Sequence, residues 1–460
     1  VFRPRNLFGL LLVAASLLAL FTARPYAGGW NDGGRLATVE SLGDRGTLHI
    51  DDSIYVQPHL AARPPYTPDN EFFARFGTKD KMFIGGHYYS DKSPVPAVMM
   101  AGTYRVLRWC GLPPARERPD WFARVMTWFF AGLPYVLAVF CIGRIARHIG
   151  VPAPWDLILM AAFAFGSLAL PYAQHVNNHI LLLAVAAGIC EAMWRSGPMT
   201  TWRAVWLGTL AGFAYSIDLG AGPPLTAAVG VWFLWQRTRV WAFTLGAIPW
   251  IVAHHVLNYA IAGTLAPSGA NPEFFKWPGS EFDEKNMTGS WQHASLLDGG
   301  VYALEMLVGE KGFLLFSLPL LQAIGGLYWL VCRRYAERPV VFVLLFWGVA
   351  TWLLYAATST NFAGYCISVR WFVPLLAPGF VALMILARDY AVSRRPLLIL
   401  IGGSLVLNLE LVARGPWSAR VPLFLWPVVS ATLLVWLIAW VLCFRTATGC
   451  PANGQLTARS

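Results

Sequence analysis

Twelve apolar runs dominate this chain, and most are long enough to dictate the solvent they live in. They cover roughly residues 7–22, 122–143, 154–171, 178–194, 203–217, 219–236, 240–263, 313–332, 339–357, 371–388, 396–413 and 421–444. A bilayer core about 30 Å thick takes about 17–25 apolar residues to cross as a helix. A helix also satisfies its own backbone hydrogen bonds where lipid cannot. The chain is 57% hydrophobic and only 13% charged, against about 25% charged residues in soluble domains. The expected fold is all-α: a polytopic helical membrane protein of about 12 transmembrane helices, with short interfacial helices on the outside surface. Residues 95–109 are apolar but short and contain Arg105 and Arg108; they are expected to lie on the membrane surface or re-enter it.

The formal charge of +11 is no nucleic-acid footprint, because the arginines are spread between the apolar runs. Placing Arg3 and Arg5 in the cytoplasm and alternating sides puts Arg144, Arg147, Arg195, Arg203, Arg237, Arg239, Arg333, Arg334, Arg338, Arg388, Arg394, Arg395 and Arg445 inside as well. The short outside loops 172–177 and 218–222 hold no Lys or Arg. That is the positive-inside pattern, and it leaves both termini cytoplasmic. The organisation expected is a cytoplasmic N-terminus and first transmembrane helix (1–22), a first large outside loop (23–121), a transmembrane bundle (122–263), a second large outside loop (264–312), a second bundle (313–444) and a cytoplasmic tail (445–460). No A-x-A cleavage site closely follows the first run, which is read as a retained helix. Seven cysteines without a C-x-x-C pair indicate neither a zinc site nor a disulfide framework.

The outside loops carry the chemistry. In the first, Asn31-Asp32-Gly33-Gly34-Arg35 follows the first helix, and His87-Tyr88-Tyr89-Ser90-Asp91-Lys92-Ser93-Pro94 precedes the next apolar stretch. A carboxylate and a lysine held outside the bilayer beside many spans point to chemistry on a membrane-bound anionic substrate. By itself Asn-Asp-Gly-Gly is also strong turn chemistry, and Lys92 could snorkel at the interface.

The order of these motifs resembles the GT-C fold membrane glycosyltransferases, the group of the protein O-mannosyltransferases and the lipid A aminoarabinose transferase. Asp32-Gly33-Gly34-Arg35-Leu36-Ala37 matches their acidic motif in the Asp and the Arg, with Gly33 in place of a second acid. Asp91-Lys92-Ser93-Pro94 matches their Lys-Pro-Pro motif, with Ser93 in place of one proline. The match runs over about 75 residues, from Gly29 to Thr103; elsewhere only topology agrees. The resemblance implies an enzyme moving a sugar from a polyprenyl-phosphate donor to an acceptor hydroxyl of a lipid, glycan or protein. It sets this reaction on the periplasmic face of a bacterial inner membrane, among membrane lipids and without nucleic acid. No cofactor is required; a divalent metal is possible but unsupported, since Gly33 removes one ligand it would use.

In that scheme Asp32 is the base that takes the acceptor proton. Lys92 holds the donor phosphate, with Arg370 or Arg35 as a second cation. Arg370 could equally anchor a helix end, and Asp91 either orients or neutralises Lys92. His87, Tyr88 and Tyr89 stack on a sugar or, as favoured here, form an interfacial belt. His175 and Asn178, on a short outside loop, are expected to bond sugar or backbone; no carboxylate or Cys accompanies them, so no metal is assigned. Asp218 caps a helix or lines a cavity. The competing reading is a transporter or flippase of lipid-linked saccharides. That would place polar groups along the bilayer midplane, whereas this chain gathers them at the outside surface.

Overall fold

The computed structural model describes residues 4–67, 70–282, 287–332, 338–418 and 420–448. Expectations resting on Arg3, Asp283, Glu284, Lys285, Arg333, Arg334 and the tail from 449 lie outside those residues, as do the side chains of Arg5, Arg338 and Arg445. The first apolar run forms α1 (Pro4–Thr22). The segment after it holds α2 (Trp30–Glu40), α3 (Glu71–Phe76), a hairpin of β1 (Lys81–Ile84) and β2 (His87–Ser90), and α4 (Pro94–Trp109). α5 (Pro119–Thr127), one π-helical turn and α6 (Leu133–Ile149) run on as a single 31-residue helix. Next come α7 (Trp155–Phe165), α8 (Ala169–Tyr172), α9 (Asn178–Trp194), α10 (Thr201–Ile217), α11 (Gly222–Trp235) and α12 (Val240–Ala262). α13 (Leu296–Val308), α14 (Pro319–Cys332), α15 (Arg338–Thr358), α16 (Leu376–Asp389), α17 (Arg394–Arg414) and α18 (Leu425–Thr448) complete the described chain.

The protein is mostly helical, and the hairpin is the departure from an all-α fold. Gly85 and Gly86 adopt φ of +58° and +90°, the left-handed pair that a two-residue hairpin turn requires. Among the described residues six helices are long and apolar enough to cross a membrane, and α1, α7 and α9 are shorter apolar helices. The expected run 154–171 is broken between α7 and α8. The Gly166 carbonyl freed there accepts a hydrogen bond from Ser404 Oγ on α17 at 2.7 Å, the kind of replacement partner that makes a broken helix tolerable in lipid.

Leu10, Val13, Leu17, Val252, Val256, Leu434 and Ile438 point outward and exposed, as side chains facing lipid do. Inside, α10 and α12 meet backbone to backbone. A Cβ at Gly208, Gly212 or Gly246 would collide with the carbonyls of Phe243, Ala247 or Val205, so small residues let the two helices touch. The basic helix ends are tied to one another: Arg144 pairs with Glu191 at 2.9 Å, Arg203 Nε donates to Ala192 O at 2.8 Å, and Arg388 Nη1 donates to Ile149 O at 3.2 Å.

Opposite these ends sits the folded layer of α2 to α4, with Tyr55, Phe73, Tyr104 and Phe122 in its own core. Glu40 is fully buried and accepts from the Ile54 amide at 3.0 Å and from Arg45 at 3.1 Å, pinning the following loop to α2. Burial pushes its carboxyl up, and its hydrogen bonds oppose that. Ser93 Oγ donates to Ser216 O at the end of α10, which fixes the layer to the bundle.

Candidate active site

The site begins where the chain leaves α1. Asp32, at the third position of α2, accepts the Gly28 amide at 2.6 Å and the Gly29 amide at 2.9 Å. A carboxylate closing the first turn also meets the positive end of the helix dipole. Asp32 is 1% exposed, and His175 Nδ1 lies 3.3 Å from its Oδ2. The Asn-Asp-Gly-Gly segment is thus the first turn of a helix. Its glycines serve close approach: a Cβ on Gly33 would sit 2.6 Å from the Phe73 ring, and one on Gly34 would sit 3.0 Å from Asp80 O.

Between the layer and the bundle lies a cavity of about 1410 Å³. Arg35, Asp80, Asp91, Lys92, Asn178, Asp218, Tyr355, Arg370 and Trp417 are among the residues that line it. Lys92 Nζ is shared between Asp80 Oδ2 at 2.6 Å and Asp91 Oδ2 at 2.7 Å. The second oxygen of Asp91 is buried with no hydrogen-bond partner. Burial pushes the Asp91 carboxyl up, and the Lys92 charge opposes that. Arg35 donates to Asn31 O at 2.9 Å and to Asn178 Oδ1 at 2.7 Å. Burial, then the Arg370 charge, lowers its guanidinium to about 10. Arg370 opens the 3₁₀ turn Arg370–Leu375; its guanidinium lies 5.1 Å from the Trp417 ring centroid, and its Nε has no hydrogen-bond partner. Among the described residues neither Arg35 nor Arg370 is in an ion pair. The loop leading into Arg370 carries Phe362, Ala363 and Ser368 at φ of +50°, +69° and +65°. Strain of this kind persists where the surroundings over-determine it.

Of the residues singled out in the sequence, Arg35, Asp91, Lys92, Asn178 and Arg370 line this one cavity. Asp32 and His175 pair behind its wall. His87, Tyr88 and Tyr89 are not among its lining residues: Tyr88 packs edge-on against Trp277 at 5.5 Å, and His87 Nδ1 meets Asp51 Oδ2 at 2.7 Å. Asp218 faces the cavity and does not cap α11: it accepts the Gly220 and Ala221 amides of the preceding turn at 3.0 Å; Tyr355 Oη donates to it at 2.7 Å. Asp80 was missed. The hairpin register pairs Lys81 with Ser90, which sets Asp80 beside Asp91. The signal was Gly85-Gly86, from which the two strands can be counted back. Trp371, stacked on Tyr355 at 4.2 Å, and Trp417 carried no signal beyond their type.

No family profile matches this sequence, and no curated protein matches it. Solved structures do. ArnT from Cupriavidus metallidurans in the apo state is 14% identical, with a TM-score of 0.51 over 96% of this chain and 77% of that one. The same protein bound to undecaprenyl phosphate is 14% identical, with a TM-score of 0.49 over 95% and 76%. The archaeal oligosaccharyltransferase AglB from Archaeoglobus fulgidus, in complex with an inhibitory peptide and a dolichol-phosphate, is 13% identical, with a TM-score of 0.44 over 96% and 56%. At these identities the likeness is one of fold: along nearly its whole length the chain is similar in structure to membrane glycosyltransferases of the GT-C fold.

Proposed function

We propose that this chain transfers a sugar from a polyprenyl-phosphate donor to an acceptor hydroxyl. One observation carries the reading: Arg35, Lys92 and Arg370, far apart in sequence, line a single cavity beside helices apolar enough to border a lipid chain. A phosphate leaving with its polyprenol gathers charge as the glycosidic bond breaks. Cations already fixed in a partly dry site stabilise that charge without reorganising. ArnT, which shares the fold, binds undecaprenyl phosphate, a ligand of the same class. The acceptor belongs to a lipid, a glycan or a protein.

The proton of the acceptor goes to a carboxylate. Asp32 is the base that the sequence pattern favours; it reaches the acceptor only if its hold on Gly28 and Gly29 opens. A second reading rests on Asp91, which lines the cavity with one oxygen free of hydrogen bonds. Asn178 holds Arg35 in place by a hydrogen bond, His175 Nδ1 stands 3.3 Å from Asp32, and Tyr88 and Tyr89 form an interfacial belt on the hairpin. The cavity lies at the helix ends opposite the basic ones. The proposed setting is therefore a bacterial inner membrane, with the cavity periplasmic, the termini cytoplasmic, about twelve crossings once short and broken helices are counted, and the segments 23–121 and 264–312 as the periplasmic part.

The test is thermal stabilisation of the purified protein by polyprenyl phosphate against free polyprenol. A ligand of the folded state raises the midpoint with the logarithm of its concentration. Stabilisation should need the phosphate and weaken at least about tenfold in apparent affinity in Lys92→Ala. In a transfer assay, Asp32→Asn or Asp91→Asn should lower the rate by about 10²–10⁴, and whichever does so names the base. A folded protein indifferent to the phosphate would remove the donor from the proposal. Phosphate binding without transfer from any sugar donor would favour the transporter.

A further inference from the structure

We infer that His49, Asp51 and His87 form a binding site for a divalent transition-metal ion, zinc by its chemistry, on the outer face of the folded layer. The three residues offer one ligand atom each, and those atoms all lie within 4.8 Å of one another. His49 Nδ1 is 3.1 Å and His87 Nδ1 is 2.7 Å from the same oxygen, Asp51 Oδ2. The two imidazole centroids are 4.7 Å apart with planes 26° from parallel, and both Nδ1 atoms stand against the one Asp51 oxygen.

Hydrogen bonding alone does not account for this arrangement. His87 Nδ1 satisfies the geometry of a bond to Asp51. His49 Nδ1 does not: it is buried and has no hydrogen-bond partner. A buried polar atom left unpaired costs about 1–3 kcal/mol, and a metal ion would remove that cost. Two imidazoles and one carboxylate are a zinc donor set, with a water completing the tetrahedron. Zinc ligands at about 2.0–2.1 Å stand about 3.3 Å apart around a tetrahedral ion, so the separations of 3.1 and 2.7 Å from Asp51 Oδ2 need to open by about 0.2 and 0.6 Å. Imidazole nitrogens also argue against magnesium or calcium, which take oxygen ligands. His87 is half-exposed, leaving the fourth position to solvent.

The surroundings hold the ligands. Asp51 Oδ1 accepts the Tyr88 amide at 2.7 Å, which leaves Oδ2 turned to the histidines. The Ile50 amide donates to Tyr88 O at 2.8 Å, laying this loop against β2. Partners of this kind orient ligands around a metal. An ion here would staple the loop of His49 and Asp51 to the strand that leads directly into Asp91 and Lys92. The sequence hid the site because Asp51 and His87 are 36 residues apart and only the hairpin brings them together.

The experiment uses the full chain, purified through a tag without histidines, stripped with EDTA and given one equivalent of zinc chloride before gel filtration. Metal analysis should find about one zinc per chain and a raised thermal midpoint, with magnesium producing neither. His49→Ala should weaken zinc binding by more than about 100-fold while leaving stabilisation by polyprenyl phosphate unchanged. Should that variant fail to fold, His49→Gln replaces it. Wild-type protein that retains no zinc, a His49 variant that retains as much as wild type, or magnesium acting as well as zinc would each overturn the site. None of these outcomes bears on the sugar-transfer reading.

Discussion

Lys81 shows how one proton is coupled to folding in the layer. Burial, then the charge of Lys79, lowers its ammonium to about 8, even though Nζ sits 4.1 Å from the Tyr88 ring centroid and 4.8 Å from that of Trp277. An unfolded lysine titrates near 10.4. Between about pH 8 and pH 10.4 the unfolded chain therefore binds more protons than the folded one, and stability rises with pH across that window. Below it both states are protonated and the penalty is constant. The gain is at most about 3 kcal/mol, reduced by the attraction of the two rings for the cation. Thermal midpoints measured from pH 7 to pH 10.5 should show a rise in wild type that Lys81→Met flattens; parallel profiles would contradict it. Ser93 gives a second residue-level test. Its φ of −50° is one that proline adopts, so a proline there fits the backbone and loses the hydroxyl's two bonds, to Ser216 O and to His254 Nδ1. Ser93→Pro and Ser93→Ala should each lower stability by about 1 kcal/mol in chemical denaturation. A much larger loss in the proline variant would mean that the backbone, not the hydroxyl, holds this junction.

At the scale of elements, α2 depends on the absence of a side chain. Gly33→Ala places a methyl group 2.6 Å from the Phe73 ring and should destabilise by about 1–3 kcal/mol, with Phe73→Leu recovering part of the loss. No change in the thermal midpoint would mean the ring has room to move. This helix also marks where the sequence was legible and where it was not. The apolar runs announced the bundle because lipid admits few backbone arrangements. Asp32-Gly33-Gly34-Arg35 put Arg35 among the candidates, and Arg35 lines the cavity, but its turn-forming residues concealed a helix, since the glycines answer to Phe73 and Asp80, which are distant in sequence. Asp80 was hidden for the same reason: its role exists only once Gly85-Gly86 fold the strands into register. Apolar composition also does not reveal the break between α7 and α8, which Ser404 repairs from another helix. Side chains that matter through long-range partners, such as Glu40 with Ile54, leave no local pattern to read.

For the whole molecule, the cavity joins two differently built bodies, a lipid-facing bundle and a folded layer with its own core. Several connections hold them, Arg35 to Asn178, Ser93 to Ser216 and Arg24 to Ala413 O at 2.8 Å among them. Arg24→Ala should therefore lower the thermal midpoint while leaving the helical content of the folded protein intact by circular dichroism; an unchanged midpoint would assign the junction to other contacts. The contact between α10 and α12 has a further consequence. Ile217 and Asp218, at or beyond the end of α10, and His254 and Asn258, on α12, all face the cavity, yet these two helices have no room for a methyl group between them. Neither helix can move closer to the other or slide freely along it without backbone atoms colliding, so the part of the cavity wall they carry is set by a backbone-to-backbone contact. Elsewhere on the same cavity wall stand Tyr355, Arg370 and, from the loop before it, Ala363 and Gly364 at φ of +69° and +80°, a wall built from loop rather than from paired helices.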